Sequence, residues 1–397
     1  MTHTHPSHEI RRHAPDVLLF GSVVALCTLG LVMVYSASSV FAFERFGDSA
    51  YFLKRQLLWM VLGLAAMWFT FHIHYTTWRR LTGPALLLAL GALGAVLFSS
   101  IGTAAGGARR WIALGPLSFQ PVEAAKLALV LYLANFLANR QDGVRRFGRG
   151  ILPPLFFCGL MAALVMRQPD MGSAVILVLV TFVVLFAAGA RIPHLAGVAL
   201  LVAPLAALMA LREEYRRERL LAFLNPWQDA QGTGFQIIQS LLAIGSGGLF
   251  GVGLGQSRQK FFYLPERHTD FVFAILAEEL GLVGAAVLIG LFALFALRAF
   301  RTAVRAPDRY GALLGAGIAS WVVGQAAINI GVVSGALPVT GVPLPFVSFG
   351  GSSLIVLMAA VGICLNLSQY ARPSASGQAA AAGGVHRPGR ARPVGAG

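Results

Sequence analysis

Long apolar runs decide what this chain can fold into. Ten of them recur, over 17–37, 56–73, 83–99, 121–139, 151–167, 171–188, 194–211, 271–297, 311–333 and 350–369. A helix rises 1.5 Å per residue and a bilayer's hydrocarbon core is about 30 Å thick, so runs of this length read as membrane spans. Hydrophobic residues make up 57% of the chain and charged residues 12%; soluble domains run nearer about 45–50% and about 25%. The expected fold class is an all-α polytopic membrane protein with ten transmembrane helices and a large extracytoplasmic loop, 212–270, between the seventh and eighth. The run 151–167 is short and forms a hairpin with 171–188 through the turn RQPD, 167–170.

Arginine clusters set the orientation. The net charge of +15 is concentrated in short basic stretches between apolar runs, a topological signature rather than a nucleic-acid footprint. Arg11–Arg12, Arg79–Arg80, 140–149, Arg191, 298–309 and 372–392 alternate to one side, which the positive-inside rule makes the cytoplasm. Both termini are then cytoplasmic. Residues 1–16 form a polar N-terminal tail without a cleavable signal, 17–370 the membrane domain, and 371–397 a disordered tail rich in Ala, Gly, Pro and Arg. The His-rich start reads as a solvated tail rather than a metal site. Within the long loop, 235–254 would reverse the orientation of 298–309 if it spanned, and glycines interrupt it; an interfacial or re-entrant segment is expected. Cys27, Cys158 and Cys364 lie in apolar runs and read as reduced packing residues.

Acidic residues number only sixteen, and four of them, Glu266, Asp270, Glu278 and Glu279, fall in LPERHTDFVFAILAEELG, 264–281. Ionisable groups beside hydrocarbon are costly and mark candidate sites. Asp270 directly precedes an apolar run, so it is either a helix N-cap or a carboxylate presented at the outer membrane face. Glu278 and Glu279 are adjacent inside the span; one is expected to pair in the bundle and the other to line a cavity. In FQPVEAAK, Pro121 suits the first helical position, Glu123 falls in the first turn, and Lys126 follows at i+3 on the same face. They form either an intramembrane ion pair or a helix-start acid with a snorkelling lysine. In GARRWI, Arg109 and Arg110 are either headgroup contacts or a diphosphate clamp. GVGLGQ, 251–256, matches neither nucleotide-binding glycine pattern, so no nucleotide is expected. His72 and His74 sit at a span end and form no ligand set.

These blocks resemble the SEDS family of FtsW, RodA and SpoVE. The resemblance covers about 15–370 and rests on GARRWI, FQPVEAAK, RQPDMGSAVIL, the run from NPWQDAQGTGFQ to ERHTDFVFAILAEELG, and GALPVTGVPLPFVSFGGSSL. VMVYSASS and PVTGVPLPFVSFGGSSL are more similar to FtsW or SpoVE than to RodA. The resemblance implies a peptidoglycan glycosyltransferase that polymerises lipid II beside a class B penicillin-binding protein and other divisome proteins, in the cytoplasmic membrane at the division septum. A lipid II flippase and a RodA-like elongation polymerase are the alternatives. It assigns the catalytic carboxylate to Asp270, and substrate binding to Arg110, Glu123, Lys126, Lys260, Glu266, His268 and Ser352. A divalent cation, Mg²⁺ or Mn²⁺, is a further source of positive charge for the leaving diphosphate. Phe349 stands where the family's SYGGSSL has tyrosine, so no hydrogen-bonding role is carried to it.

Reporter fusions at Arg145 and Asp308 should both read cytoplasmic, and one at Gln228 extracytoplasmic. An extracytoplasmic signal at Asp308 would mean that 235–254 spans.

Overall fold

A computed structural model describes residues 12–98, 102–105, 108–115, 117–140, 143–212, 214–259 and 269–371. Lys260, Glu266 and His268 lie outside the described residues, as do most of the His-rich start and all but Ala371 of the C-terminal tail.

All ten apolar runs are helical. In chain order the helices are α1 Val17–Phe46, α2 Tyr51–His72, α3 Trp78–Phe98, α4 Pro121–Ala138, α5 Leu152–Arg167, α6 Met171–Ala187, α7 Ile192–Arg212, α8 Glu214–Leu224, α9 Phe235–Ser246, α10 Val272–Val304, α11 Arg309–Val333 and α12 Gly351–Ser368. Among the described residues eight helices are long and apolar enough to cross a membrane, while α6 and the apolar part of α7, Ile192–Pro204, are shorter. The chain is an all-α polytopic membrane protein in its body. Aspartates start three helices: Asp16, Asp170 and Asp308 accept from the amides of Leu19, Ser173 and Gly311. α1 runs past its apolar stretch because nothing in FAFERF breaks it before Gly47, which closes it at φ 70°. The three cysteines are free and buried.

Two local features were not visible in the sequence. Between α3 and α4 the chain forms a small antiparallel sheet, β1 Gly102–Ala105, β2 Ala108–Leu114 and β3 Leu117–Phe119, in that spatial order. Gly102 pairs with Ile112, and Ile112 with Phe119. The second is a break in α10 at Gly281 (φ 66°, ψ −164°). The extended stretch after α9 docks there: Val252 and Gly253 donate to the carbonyls of Glu278 and Glu279, and Leu282 and Val283 donate to those of Gly248 and Leu249. The segment 235–254 is therefore a helix of 12 residues, about 18 Å long, followed by a turn-rich stretch held by α10. It is not a continuous span.

α4, α11 and α12 lie deepest, with 67%, 67% and 89% of their apolar stretches buried. α2 packs closely on α12 through glycines. A Cβ at Gly351 would strike the Trp59 ring, one at Gly362 the Met67 carbonyl, and one at Gly63 the Met358 sulfur. Small residues at crossings let membrane helices approach this closely, and Thr70 Oγ1 donates across to the Ala359 carbonyl at 2.8 Å. On the arginine-rich side, Asp16 also pairs with Arg298 at 2.7 Å, joining α1 to α10.

Gly281→Ala should destabilise the protein. It would force a side chain into a left-handed conformation and place a Cβ within 2.6 Å of the Leu249 carbonyl oxygen. Such strain costs about 1–3 kcal/mol before any clash. Gly290→Ala, in the same helix with nothing within 4 Å of its Cβ position, should change stability by at most about 1 kcal/mol. Thermal unfolding in detergent checks the ranking; equal melting temperatures for the two variants would refute it.

Candidate active site

The three deepest helices carry a buried polar cluster. Pro121 opens α4 at its first position and puts Glu123 in the first turn, as the sequence suggests. Lys126 Nζ lies 2.9 Å from Glu123 Oε1, and both side chains are nearly sealed, at 2% and 3% exposure. Lys126 does not snorkel. It also donates to Gln325 Oε1 at 3.1 Å and sits 5.4 Å from the Trp321 ring centroid. Ser353 donates to the other Glu123 oxygen at 3.1 Å. The Glu123 carboxylate thus lies at the N-terminus of α12, where the helix dipole favours an anion. Ser352 is buried too, and its hydroxyl accepts from the Gln120 amide at 3.1 Å.

One turn along α11 lies the Asp270 corner. Gln325 Nε2 donates to the Pro343 carbonyl at 3.0 Å, and Asn329 Nδ2 donates to the carbonyls of Asp270 and Val342, both at 2.7 Å. Four residues of helix span about 6 Å, so the ion pair and the corner share one face of α11. The segment 338–350 covers that face. Its Ser348 hydroxyl donates to the Thr269 carbonyl at 2.5 Å and accepts from the Leu344 amide. The Cβ position of Gly341 is 3.6 Å from Asp270 Oδ2. Asp270 is half-buried. The N-cap of α10 is Phe271, with no side-chain cap bond, so the alternative reading of Asp270 as the helix cap is not the conformation found.

Arg110 approaches from the small sheet. Alternation along β2 separates the neighbours: Arg109 is exposed, while Arg110 turns inward. Its Nε donates to the Gln168 carbonyl at 2.7 Å and its Nη2 to that of Pro169 at 2.5 Å. This turn delivers Asp170, which caps α6 and lies 3.4 Å from Gln120 Nε2. Behind it, a Cβ at Gly172 would meet the Thr340 carbonyl at 2.8 Å. A chain of contacts therefore joins Arg110, the 167–170 turn, the 338–350 segment and the Asp270 corner.

The other acids do something else. Glu278 and Glu279 are sealed, at 1% and 0% exposure. Glu278 accepts from the Ser257 hydroxyl and the Arg258 amide, Glu279 from the Ser36 hydroxyl and the Ser257 amide. The expectation that one lines a cavity is corrected: both hold the 257–258 segment against the broken helix. Phe349 packs edge-on against Phe52, with centroids 5.2 Å apart, a use that needs no hydroxyl. Between α8 and α9 Asp229 accepts from the amide and hydroxyl of Thr233 and the amide of Gly232. These bonds hold its carboxyl below the usual carboxylate range. A cavity of about 350 Å³ opens nearby, lined by Glu218, Arg219, Asp229, Gln236 and Val339 among others. Gln325 and Asn329 are the residues that sequence reading missed. Two carboxamides four residues apart in an apolar helix were the available signal.

Residues 17–373 match the FtsW/RodA/SpoVE family, described as cell cycle proteins. The chain belongs to that family. It is 46% identical over 362 residues to stage V sporulation protein E of Bacillus subtilis (strain 168), covering 91% of this chain and 99% of that one. It is 45% identical over 360 residues to a "Probable peptidoglycan glycosyltransferase FtsW" of Geobacter sulfurreducens, covering 91% and 96%. Among solved structures it is similar to a chain of a peptidoglycan synthase complex that coordinates polymerization and crosslinking, with TM-score 0.74, 35% identity and coverage of 89% and 98%. The rod shape determining protein RodA of Thermus thermophilus gives TM-score 0.68, 32% identity and coverage of 91% and 99%.

Lys126→Met should strand Glu123 in the core and cost about 3–5 kcal/mol, whereas a double change to Glu123→Gln with Lys126→Met should recover most of that loss. Thermal unfolding of the single and double variants reads the difference. A double variant no more stable than the single one would show that the charges are not coupled.

Proposed function

We propose that this protein is an FtsW-type peptidoglycan glycosyltransferase that polymerises lipid II at the outer face of the cytoplasmic membrane in septal wall synthesis. The observation that carries the reading is the Asp270 corner: a half-buried carboxylate whose backbone is held by the face of α11 that also meets a sealed ion pair, with the Arg110 guanidinium bound to the 167–170 turn that packs on the same 338–350 segment. The proposal includes ten spans, cytoplasmic termini and a class B penicillin-binding protein as partner.

Making a β-1,4 glycan from an α-linked sugar diphosphate inverts the anomeric carbon. Asp270 takes the proton from the acceptor's 4-hydroxyl as that oxygen attacks the donor's anomeric carbon. A new C–O bond forms, the bond to the diphosphate oxygen breaks, and the lipid diphosphate departs with the electron pair. It is a good leaving group and needs positive charge rather than a proton. We assign Arg110 to it: its Nε and Nη2 already donate to the Gln168 and Pro169 carbonyls, so its remaining N–H groups are the ones that would meet phosphate oxygens. Lys126 is paired and sealed, so its contribution is to set the floor of the site rather than to meet phosphate with an uncompensated charge. Among the described residues no three His, Cys, Asp or Glu side chains converge. Asp270 would be the carboxylate to hold a Mg²⁺ or Mn²⁺ ion, which would supply positive charge to the departing diphosphate.

Asp270→Asn tests the assignment. With the penicillin-binding partner and labelled lipid II, wild type should form glycan polymer. The Asn variant should express, insert and bind its partner normally while losing about 10²–10⁴-fold in rate. Asp270→Glu should also be poor, because an added methylene displaces the carboxylate from the reacting hydroxyl. A structural role predicts a nearly harmless Asn and a damaging Ala. Lipid II transport without polymer in wild type would instead mark a flippase.

A further inference from the structure

Asn329 is 1% exposed, and both hydrogens of its amide go to backbone carbonyls, those of Asp270 and Val342. Two acceptors on one nitrogen fix which way the carboxamide faces, since a flipped amide would set oxygen against oxygen. The cost is visible on the other side: Asn329 Oδ1 is buried with no hydrogen-bond partner among the described residues. An unpaired buried acceptor is unfavourable, so this side chain serves as a double donor and not as a balanced polar contact. Gln325, one turn earlier, has the opposite arrangement. Its Oε1 accepts from Lys126 at 3.1 Å and from Trp321 Nε1 at 3.0 Å, and its Nε2 donates to the Pro343 carbonyl. The two carboxamides hold adjacent carbonyls, 342 and 343, of one segment. One of them also holds the Asp270 backbone and the other the ion pair.

We infer that Asn329 is a positioning residue for the transfer reaction, fixing the Asp270 carboxylate against the 338–350 segment, and that Gln325 ties the same segment to the Glu123–Lys126 pair. This rests on the reading of Asp270 as the base. At a loop-to-helix junction the direction of a side chain is set by how the non-helical backbone is held. The junction has no side-chain cap, and its backbone is held instead by Asn329 at Asp270 and by Ser348 at Thr269. Removing Asn329 takes away the tie at the Asp270 carbonyl and its link to Val342. The carboxylate would sample positions away from the acceptor hydroxyl, while the Arg110 guanidinium keeps its own bonds to the Gln168 and Pro169 carbonyls. Displacements near an ångström suffice to cost about 10²-fold in rate.

The experiment compares wild type, Asn329→Ala and Asn329→Ser with lipid II as substrate and the penicillin-binding partner present. We expect kcat to fall about 10-fold or more in Asn329→Ala while KM changes less than about 2-fold, because the interaction acts on the reacting geometry and not on ground-state binding. The acid limb of the pH–rate profile should also move, since the environment of the carboxylate changes. Asn329→Ser, which keeps a donor in a smaller side chain, should retain more activity than Ala, and it serves as the test if Ala does not fold. Wild-type kcat in a folded variant, or a kcat loss matched by an equal loss of lipid II binding, would overturn the inference. So would an unshifted pH profile in a slowed variant. If wild type makes no polymer, it is the polymerase reading that fails; if wild type polymerises, Asp270→Asn does not, and the Asn329 variants are normal, only the positioning role fails.

Discussion

A lysine and a glutamate sealed in the middle of an apolar bundle constrain everything packed around them. Each ion gives up water at an effective penalty of several kcal/mol, and their attraction offsets this only if the remaining protons and lone pairs also find partners. In this chain the partners come from different helices. Ser353 on α12 answers one Glu123 oxygen, and Gln325 and Trp321 on α11 surround the ammonium. Helices in lipid have little hydrophobic reason to choose one register over another. A buried pair that is satisfied in a single arrangement supplies that choice for α4, α11 and α12.

The constraint passes outward through backbone carbonyls. Irregular chain at membrane depth is tolerated only where protein satisfies its polar groups, and the 338–350 segment is irregular throughout. Gln325, Asn329 and Ser348 meet its needs at Pro343, Val342 and the Leu344 amide. Two of these three side chains also hold the 269–270 backbone. The corner that bears Asp270 is consequently built from a non-helical segment and one face of a rigid helix, not from a loop left to solvent.

Much of this was legible in the sequence, for unequal physical reasons. Apolar length located ten helices, and Pro121, Glu123 and Lys126 announced a helix start with a paired charge. Composition could not tell Arg109 from Arg110; the family resemblance picked Arg110, and the alternation along β2 decides which faces inward. The sheet itself was hidden in strands of four, seven and three residues, too short to show a period. The break at Gly281 was hidden because an apolar run reads the same with or without it; the tie comes from 248–253, distant in sequence. Gln325 and Asn329 were missed for the opposite reason. Amides in a helix carry no net charge to draw notice, and their meaning depends on carbonyls that only the tertiary structure supplies.

The ionisable groups then sort by what their surroundings allow them to do. Glu123, Lys126, Glu278 and Glu279 are sealed and engaged. A group so held cannot exchange a proton or a partner during turnover without breaking the contacts that offset its burial. Asp270 and Arg110 are half-buried, which leaves each a face toward the outside and a face toward the protein. A base must lose water without losing mobility of its proton, and a phosphate-binding guanidinium must give up solvent only when substrate arrives. Under the proposed function, the chemistry falls to these two half-buried groups. The four sealed ones hold fixed the frame against which Asp270 and Arg110 are placed, and a substitution among them should reach the reaction through geometry rather than charge.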